Sequence, residues 1–270
     1  MPDILRTPSV PNTATAPLQS GAEATRLSLL EWDDAGPILD GSPQGAGSGP
    51  DWELLQPRGA YARFGRPLLN VFLTLVSLPL VVAVTLPLFL INAARFRSFR
   101  RAIFVQDRIG HRTRPFKLYK LRTMDDSHGT EYEAWQEGDE GRVPPFGQFL
   151  RRTHLDELPQ MLNILQGKMT FVGPRPEMME THSFACDHVP GFSQRNALLP
   201  GITGLAQITS GYAGHDSSMY QRKFEQDENY RREYSLASDL KILLQTPLWM
   251  LRMRGWTQRT GTAHAPTHGS

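Results

Sequence analysis

RRTHLDELPQMLNILQGKMTFVGPRPE, residues 151–177, is the stretch from which the rest of the chain is read. Two adjacent carboxylates, Asp156 and Glu157, stand ahead of a short apolar run. Pro159 is excluded from a helix interior but tolerated in a first turn, where the N–H groups have no intrahelical partner. This predicts a helix starting near Asp156 with Asp156 as its N-cap, and Thr153 as a competing cap. Met161, Leu162 and Leu165 carry that helix, and Gly167 ends it. The carboxylates are then expected at the positive end of a helix dipole, where Asp156 is held ionised with a depressed pKa.

Val172-Gly173-Pro174-Arg175-Pro176 follows. Each proline fixes its own φ and pushes the preceding residue toward extended backbone, so Arg175 is expected on a stiff mount. A planar guanidinium fork on such a mount suits phosphate or carboxylate. Arg151 and Arg152 lie on the other side of the dyad. Two carboxylates flanked by arginines indicate phosphate chemistry with a divalent metal, the carboxylates holding the metal or attacking. The alternative for these charges is a capped surface helix with solvated side chains.

Residues 67–91, PLLNVFLTLVSLPLVVAVTLPLFLI, carry no charge, and that length suffices to cross a bilayer core. Pro79 and Pro87 interrupt the hydrogen-bond ladder, and in lipid a freed carbonyl needs another partner. Both flanks are basic: Arg58, Arg63 and Arg66 before, and Arg95, Arg97, Arg100 and Arg101 after. Positive flanks hold both ends on the cytoplasmic side, which fits a segment that enters one leaflet, bends at proline and returns.

LDELPQMLNILQGKMTFVGPRPE resembles the signature of the bacterial sugar transferases, the monotopic phosphoglycosyl transferases. The resemblance covers Gly65–Trp256 and is to the small, minimal form of that family. Further matches are Gln106, Arg108, Gly110, Phe116, Tyr119, Lys120, Arg122 and Met124, then residues 200–207, PGITGLAQ. Asp227, Tyr230, Ser235, Leu236 and Asp239 also match and read as scaffold. Pro144 stands where the family has Thr. The family's re-entrant helix breaks at a Ser-Pro pair, whereas here neither Pro79 nor Pro87 follows a serine directly.

The resemblance implies transfer of a sugar-1-phosphate from a UDP-sugar to polyprenyl (undecaprenyl) phosphate, with release of UMP. Asp156 would be the nucleophile and Glu157 would bind Mg²⁺. Lys120, Arg122, Arg151, Arg175 and Arg195 would hold substrate, with residues 200–207 as a loop of the pocket. It places the chain on the cytoplasmic face of a bacterial inner membrane. Its product would pass to later glycosyltransferases building exopolysaccharide, capsule, O-antigen or a glycoprotein glycan. Two rival readings are a membrane-bound metal-dependent phosphohydrolase and a non-catalytic membrane scaffold.

Composition bounds these readings. The 270 residues carry a net charge of +2, which by itself points neither toward nor away from nucleic acid, and the family implies no nucleic-acid partner. The single cysteine, Cys186, excludes an internal disulfide and a cysteine cage for metal. His182, His188 and Cys186 lack further ligands at metal-binding spacing. Residues 1–60 are rich in Pro, Gly, Ala, Ser and Thr and read as a disordered tail with a short apolar patch around Leu27–Trp32. Residues 61–100 form the membrane segment, 101–256 a cytoplasmic transferase domain, and 257–270 a second tail. The expected fold is α/β and mostly helical, membrane-associated, with a re-entrant helix and interfacial amphipathic helices. Residues 102–124 are read as two extended runs around Gly110, 125–141 as an acidic loop able to cover the site, 177–199 as helical, and 240–256 as an amphipathic helix, either lying on lipid or packed on the core.

Overall fold

The structure is a computed structural model that describes residues 50–124, 143–210 and 216–251. After a four-residue helix α1 (Trp52–Leu55), a π turn (Tyr61–Gly65) leads into the long helix α2 (Arg66–Phe96) and the short α3 (Phe99–Ala102). Strands β1 (Ile103–Ile109) and β2 (Pro115–Leu121) form an antiparallel hairpin. Next come α4 (Pro145–Thr153), a 3-10 turn (Leu155–Gln160), α5 (Met161–Leu165) and β3 (Thr170–Val172). Helix α6 (Met179–His188), a second 3-10 turn (Phe192–Ala197) and β4 (Gly201–Thr203) follow, then α7 (Leu205–Ser210), α8 (Ser217–Arg232) and α9 (Leu236–Leu251). The described residues are thus mostly helical, with two two-stranded sheets, as the α/β reading expects.

Helix α2 is the one element among the described residues long and apolar enough to cross a membrane. It continues through both prolines as a single helix. Its two faces differ. Leu68, Val71, Phe72, Leu75, Val76 and Leu80 point outward and are exposed, as are Pro79 and Pro87. The opposite face lies against the rest of the protein along nearly its full length. At its start, Arg66 donates to the Tyr234 hydroxyl and the Val172 carbonyl. One turn on, Asn70 Oδ1 accepts from Thr170 Oγ1 at 2.7 Å and the Phe171 amide at 3.3 Å. Leu78 and Val81 pack on a core of Phe116, Leu118, Met161, Ile164 and Met169. At the far end, Asn92 Nδ2 donates to the carbonyls of Ala102 (3.3 Å) and Arg122 (2.8 Å). Contacts from Arg66 to Asn92 follow helix length for about 40 Å at 1.5 Å per residue. A helix that met the domain only at one end would not need polar side chains on this face at both ends.

The hairpin and the stop at Gly167 follow the sequence. Gly167 has φ +68°, and the Lys168 and Gly167 amides bond back to the carbonyls of Asn163 and Ile164, both at 2.9 Å, closing α5 in a left-handed cap. The start of α5 does not follow it. Asp156 caps no helix: it lies inside the 3-10 turn, ahead of which His154 takes a left-handed conformation at φ 55°. Thr153 is also no cap, because its hydroxyl donates back to the carbonyls of Phe149 and Leu150. Pro159 is accommodated in the tighter turn, and the α-helix starts only at Met161.

The tail boundary moves too. Asp51 caps α1 by accepting from the amides of Glu53 and Leu54, and the Leu55 carbonyl accepts from Arg231 at 3.1 Å. This fixes residues inside the span assigned to the tail. The helical expectation for 177–199 resolves into α6 and a 3-10 turn, separated at Gly191, whose φ is +79°. The patch at Leu27–Trp32, the acidic loop 125–141, the end of the amphipathic helix at 252–256 and the tail 257–270 lie outside the described residues.

Candidate active site

The dyad's turn is short and tight, and in a 3-10 helix residues three apart share a face. Glu157 and Gln160 therefore line up, and Asn163 continues the row onto α5. That row faces β2. Asn163 is fully buried and bridges the strand: its Oδ1 accepts from the Tyr119 amide at 3.2 Å and its Nδ2 donates to the Lys117 carbonyl at 2.7 Å. The same register sets Lys120, paired across the hairpin with Phe104, over Glu157. Lys120 Nζ lies 2.8 Å from Glu157 Oε1.

Arg175 arrives from the other side. Strand β3 runs parallel to β4, pairing Thr170 with Gly201 and Val172 with Thr203. The two backbones approach so closely that a Cβ on Gly201 would sit 2.1 Å from the Gly173 nitrogen, and one on Gly204 2.2 Å from the Gly173 carbonyl oxygen. The glycines of PGITG are therefore required for strand contact beneath Gly173. Pro174-Arg175-Pro176 leaves this contact extended, and Arg175 reaches Glu157 with both ends of its fork, Nη1 to Oε2 at 3.2 Å and Nη2 to Oε1 at 2.6 Å.

The two carboxylates consequently differ, though both are nearly buried at 7% and 9% exposure. Burial opposes the charge on Glu157, but the Arg175 and Lys120 charges and their hydrogen bonds outweigh it and hold this carboxyl well below the usual range. Among the described residues, no hydrogen bond reaches the Asp156 carboxylate. Burial pushes it up to about 6 against the nearby charges of Lys120, Arg151 and Arg175. The depressed pKa expected for Asp156 thus belongs to its neighbour, because Asp156 is not at a helix start and the cations close on Glu157. Asp156 is a carboxylate that burial makes more basic than usual. It is the more basic and less engaged carboxylate, so the pair has separated into a fixed anion and an available one.

Lys120, Arg151 and Arg175 stand at the dyad. Arg151 is steadied by Thr123, its Nε donating to Oγ1 at 2.9 Å. Two other expected ligands are elsewhere. Arg195, at 1% exposure, is committed to Asp227 (2.7 Å), Glu177 (3.4 Å) and the Arg175 carbonyl (3.0 Å). Arg122 lies at the foot of α2, its Nε donating to the Arg101 carbonyl at 2.7 Å and its guanidinium over Phe96 and Phe104. Sequence reading missed the part played by Arg108 and Asn163. Arg108 donates to the Pro176 carbonyl at 3.2 Å and to Gln106 Oε1. The clue was available in both: a polar residue on the inner side of an apolar helix, and a charge in a strand.

For a divalent cation, the described residues hold no cluster of three His, Cys, Asp or Glu side chains. Mg²⁺ does not need one, since it keeps waters and binds through one or two carboxylates plus substrate phosphates. Glu157 accepts three hydrogen bonds from Arg175 and Lys120, leaving one of about four acceptor positions, on Oε2. With Asp156 alongside, these donors fit the chemistry of Mg²⁺.

The model of the bacterial sugar transferase family matches residues 61–253. A UDP-glucose:undecaprenyl-phosphate glucose-1-phosphate transferase of Caulobacter vibrioides is 36% identical over 204 residues, covering 73% of this chain and 76% of that protein. A UDP-N-acetylgalactosamine-undecaprenyl-phosphate N-acetylgalactosaminephosphotransferase of Aeromonas hydrophila is 34% identical over 197 residues, 71% of this chain and 44% of that protein. A UDP-glucose:undecaprenyl-phosphate glucose-1-phosphate transferase of Escherichia coli is 36% identical over 176 residues, 62% of this chain and 38% of that protein. The match therefore spans less than half the length of the latter two relatives.

Proposed function

Because the chain belongs to the bacterial sugar transferase family, we propose that it moves a sugar-1-phosphate from a UDP-sugar to polyprenyl phosphate through a phosphosugar bonded to Asp156. The observation that carries this reading is the division of the dyad: Glu157 is clamped by Arg175 and Lys120, while Asp156 accepts no hydrogen bond from a described residue. An Asp156 oxygen attacks the sugar-bearing phosphorus of the diphosphate. The bond from that phosphorus to the bridging oxygen breaks, and UMP leaves with the electron pair. A phosphate oxygen of the lipid then attacks the same phosphorus, the Asp156–phosphorus bond breaks, and the carboxylate returns. Lys120, Arg151 and Arg175 place positive charge where phosphoryl oxygens gather negative charge. Glu157 would hold a Mg²⁺, which would neutralise part of that charge.

The direct test is to offer UDP-glucose, UDP-N-acetylgalactosamine and related donors to the purified protein in nanodiscs with undecaprenyl phosphate. One donor should give UMP and a lipid-linked sugar in equal amounts. Free sugar phosphate without a lipid product would identify a phosphohydrolase instead, and no turnover with any donor would favour a scaffold. The lipid-linked product is a substrate for glycosyltransferases that extend it.

The same reading puts the protein on the cytoplasmic face of the inner membrane, with α2 entering one leaflet and returning. Support comes from the two faces of α2, one wholly apolar and the other packed along the domain. A proline ring clashes with the carbonyl one turn earlier and opens the face that carries it. Pro79 and Pro87 are both on the outward face, so each favours bending toward the domain. No acidic residue occurs between Glu53 and Asp107, and the arginines in that interval flank the apolar run on both sides. The exposed Leu236, Leu240, Leu244 and Leu248, four residues apart on α9, offer a second apolar stripe for the lipid surface. Single cysteines at Gly59 and Ser98, in a Cys186→Ser background, should both be labelled from the cytoplasm only. Periplasmic labelling of either one restores a spanning helix.

A further inference from the structure

The segment that carries Arg175 cannot secure itself. Pro174 and Pro176 have no N–H, yet every carbonyl along the segment still needs a donor once water is excluded. Two of those donors are backbone amides: Gly201 to the Pro174 carbonyl at 2.9 Å and Ile109 to the Glu177 carbonyl at 2.8 Å. Three more are guanidinium groups from three separate elements. Arg66, at the start of α2, donates to the Val172 carbonyl. Arg195, in the second 3-10 turn, donates to the Arg175 carbonyl at 3.0 Å. Arg108, near the end of β1, donates to the Pro176 carbonyl at 3.2 Å.

Each of these arginines is itself fixed. Arg195 is held by Asp227 and Glu177, and Glu177 is paired in turn with Lys223. Arg108 rests on Gln106 through Nε (3.0 Å) and Nη2 (2.7 Å). Arg66 lies 3.9 Å from Asp239, whose two oxygens accept from Tyr61 and Tyr230 at 2.6 and 2.5 Å, and its guanidinium is stacked 4.5 Å above the Tyr234 ring. A fork can satisfy a charged partner and a carbonyl together, which a lysine ammonium does with less geometric control.

We infer that Arg66, Arg108 and Arg195 are positioning residues: through the carbonyls of Val172, Pro176 and Arg175 they fix where the Arg175 guanidinium meets the dyad. Two of them join distant parts of the chain to that point. Arg66 ties it to the membrane helix, and Arg195 ties it to α8 through Asp227. The kinetic half of the test rests on the transferase reading, and the second half does not.

The test is a set of double-mutant cycles in nanodiscs, with Arg66→Lys, Arg108→Gln and Arg195→Lys each made in the native and the Arg175→Lys background. Alone, each should lower kcat at least tenfold, with KM for the UDP-sugar changed less than threefold. In the Arg175→Lys background each should add less than twofold, because residues acting through one group do not add. Losses that multiply across the two backgrounds, or single variants with native kcat, overturn the inference. Arg195→Lys disturbs a buried network, so Arg108→Gln, at a half-buried site, keeps the cycle readable if the former fails to fold. Independently of any activity, hydrogen exchange at the Gly201 and Ile109 amides, which bond the Pro174 and Glu177 carbonyls, should speed up in Arg108→Gln while exchange in α5 stays unchanged. Unaltered exchange there also overturns the inference. Faster exchange in a protein that transfers no sugar phosphate counts against the transferase reading alone.

Discussion

Asp156→Asn should lose three or more orders of magnitude in turnover, about 4 kcal/mol or more of transition-state stabilisation. The loss should come with no loss of folding. Asp156 accepts no hydrogen bond from a described residue, so the amide leaves no partner behind, and a buried neutral group costs less than a buried charge. Melting temperature and membrane attachment should match the native protein. Glu157 is the contrast. It holds Lys120 and Arg175 together, so Glu157→Gln removes a charge on which both cations depend. That variant should lose stability as well as rate, and this difference between the two carboxylates is measurable by thermal unfolding beside the transfer assay.

Arg175→Lys should cut turnover by one to three orders of magnitude. Lysine keeps the charge but replaces two contacts on Glu157, at 3.2 and 2.6 Å, with one. The second cation, Lys120, already approaches Oε1, so a lysine at the Arg175 position would compete for the same oxygen. The expected pattern is a lower kcat with a small change in KM, read from steady-state transfer to undecaprenyl phosphate. Near-native turnover would make Arg175 a purely structural residue.

Sequence legibility divided along a physical line. Features written into a few neighbouring residues were readable: the apolar run with its basic ends, the hairpin around Gly110, the stop at Gly167 and the carboxylate pair itself. What required the folded chain was which partner each charge finds. Asp156 and Glu157 are adjacent and chemically alike in the sequence, and only the register of β2 and the exit angle after β3 decide that both cations reach Glu157. The cap assignment failed for a related reason. Pro159 fits the first turn of an α-helix and also a 3-10 turn, and the left-handed His154 that selects the latter has no glycine to announce it. Arg195 is expected among the groups that hold substrate, and its pairing with Asp227, 32 positions later, shows only in the folded chain. The glycines of PGITG were recognised as special, but their reason, a parallel strand against Gly173, lies in a segment about 30 residues away.

Intact-protein mass spectrometry decides whether the transfer passes through a covalent intermediate. The protein in nanodiscs is incubated with Mg²⁺ and the accepted UDP-sugar, without any lipid acceptor. A covalent intermediate predicts UMP released to one equivalent per protein and then no further. It also predicts a mass gain of one sugar-phosphate that peptide mapping places on Asp156 and that disappears when undecaprenyl phosphate is added. UMP that forms only when the lipid acceptor is present, with no adduct trapped at any time, would contradict it and make the dyad a metal site for direct in-line transfer.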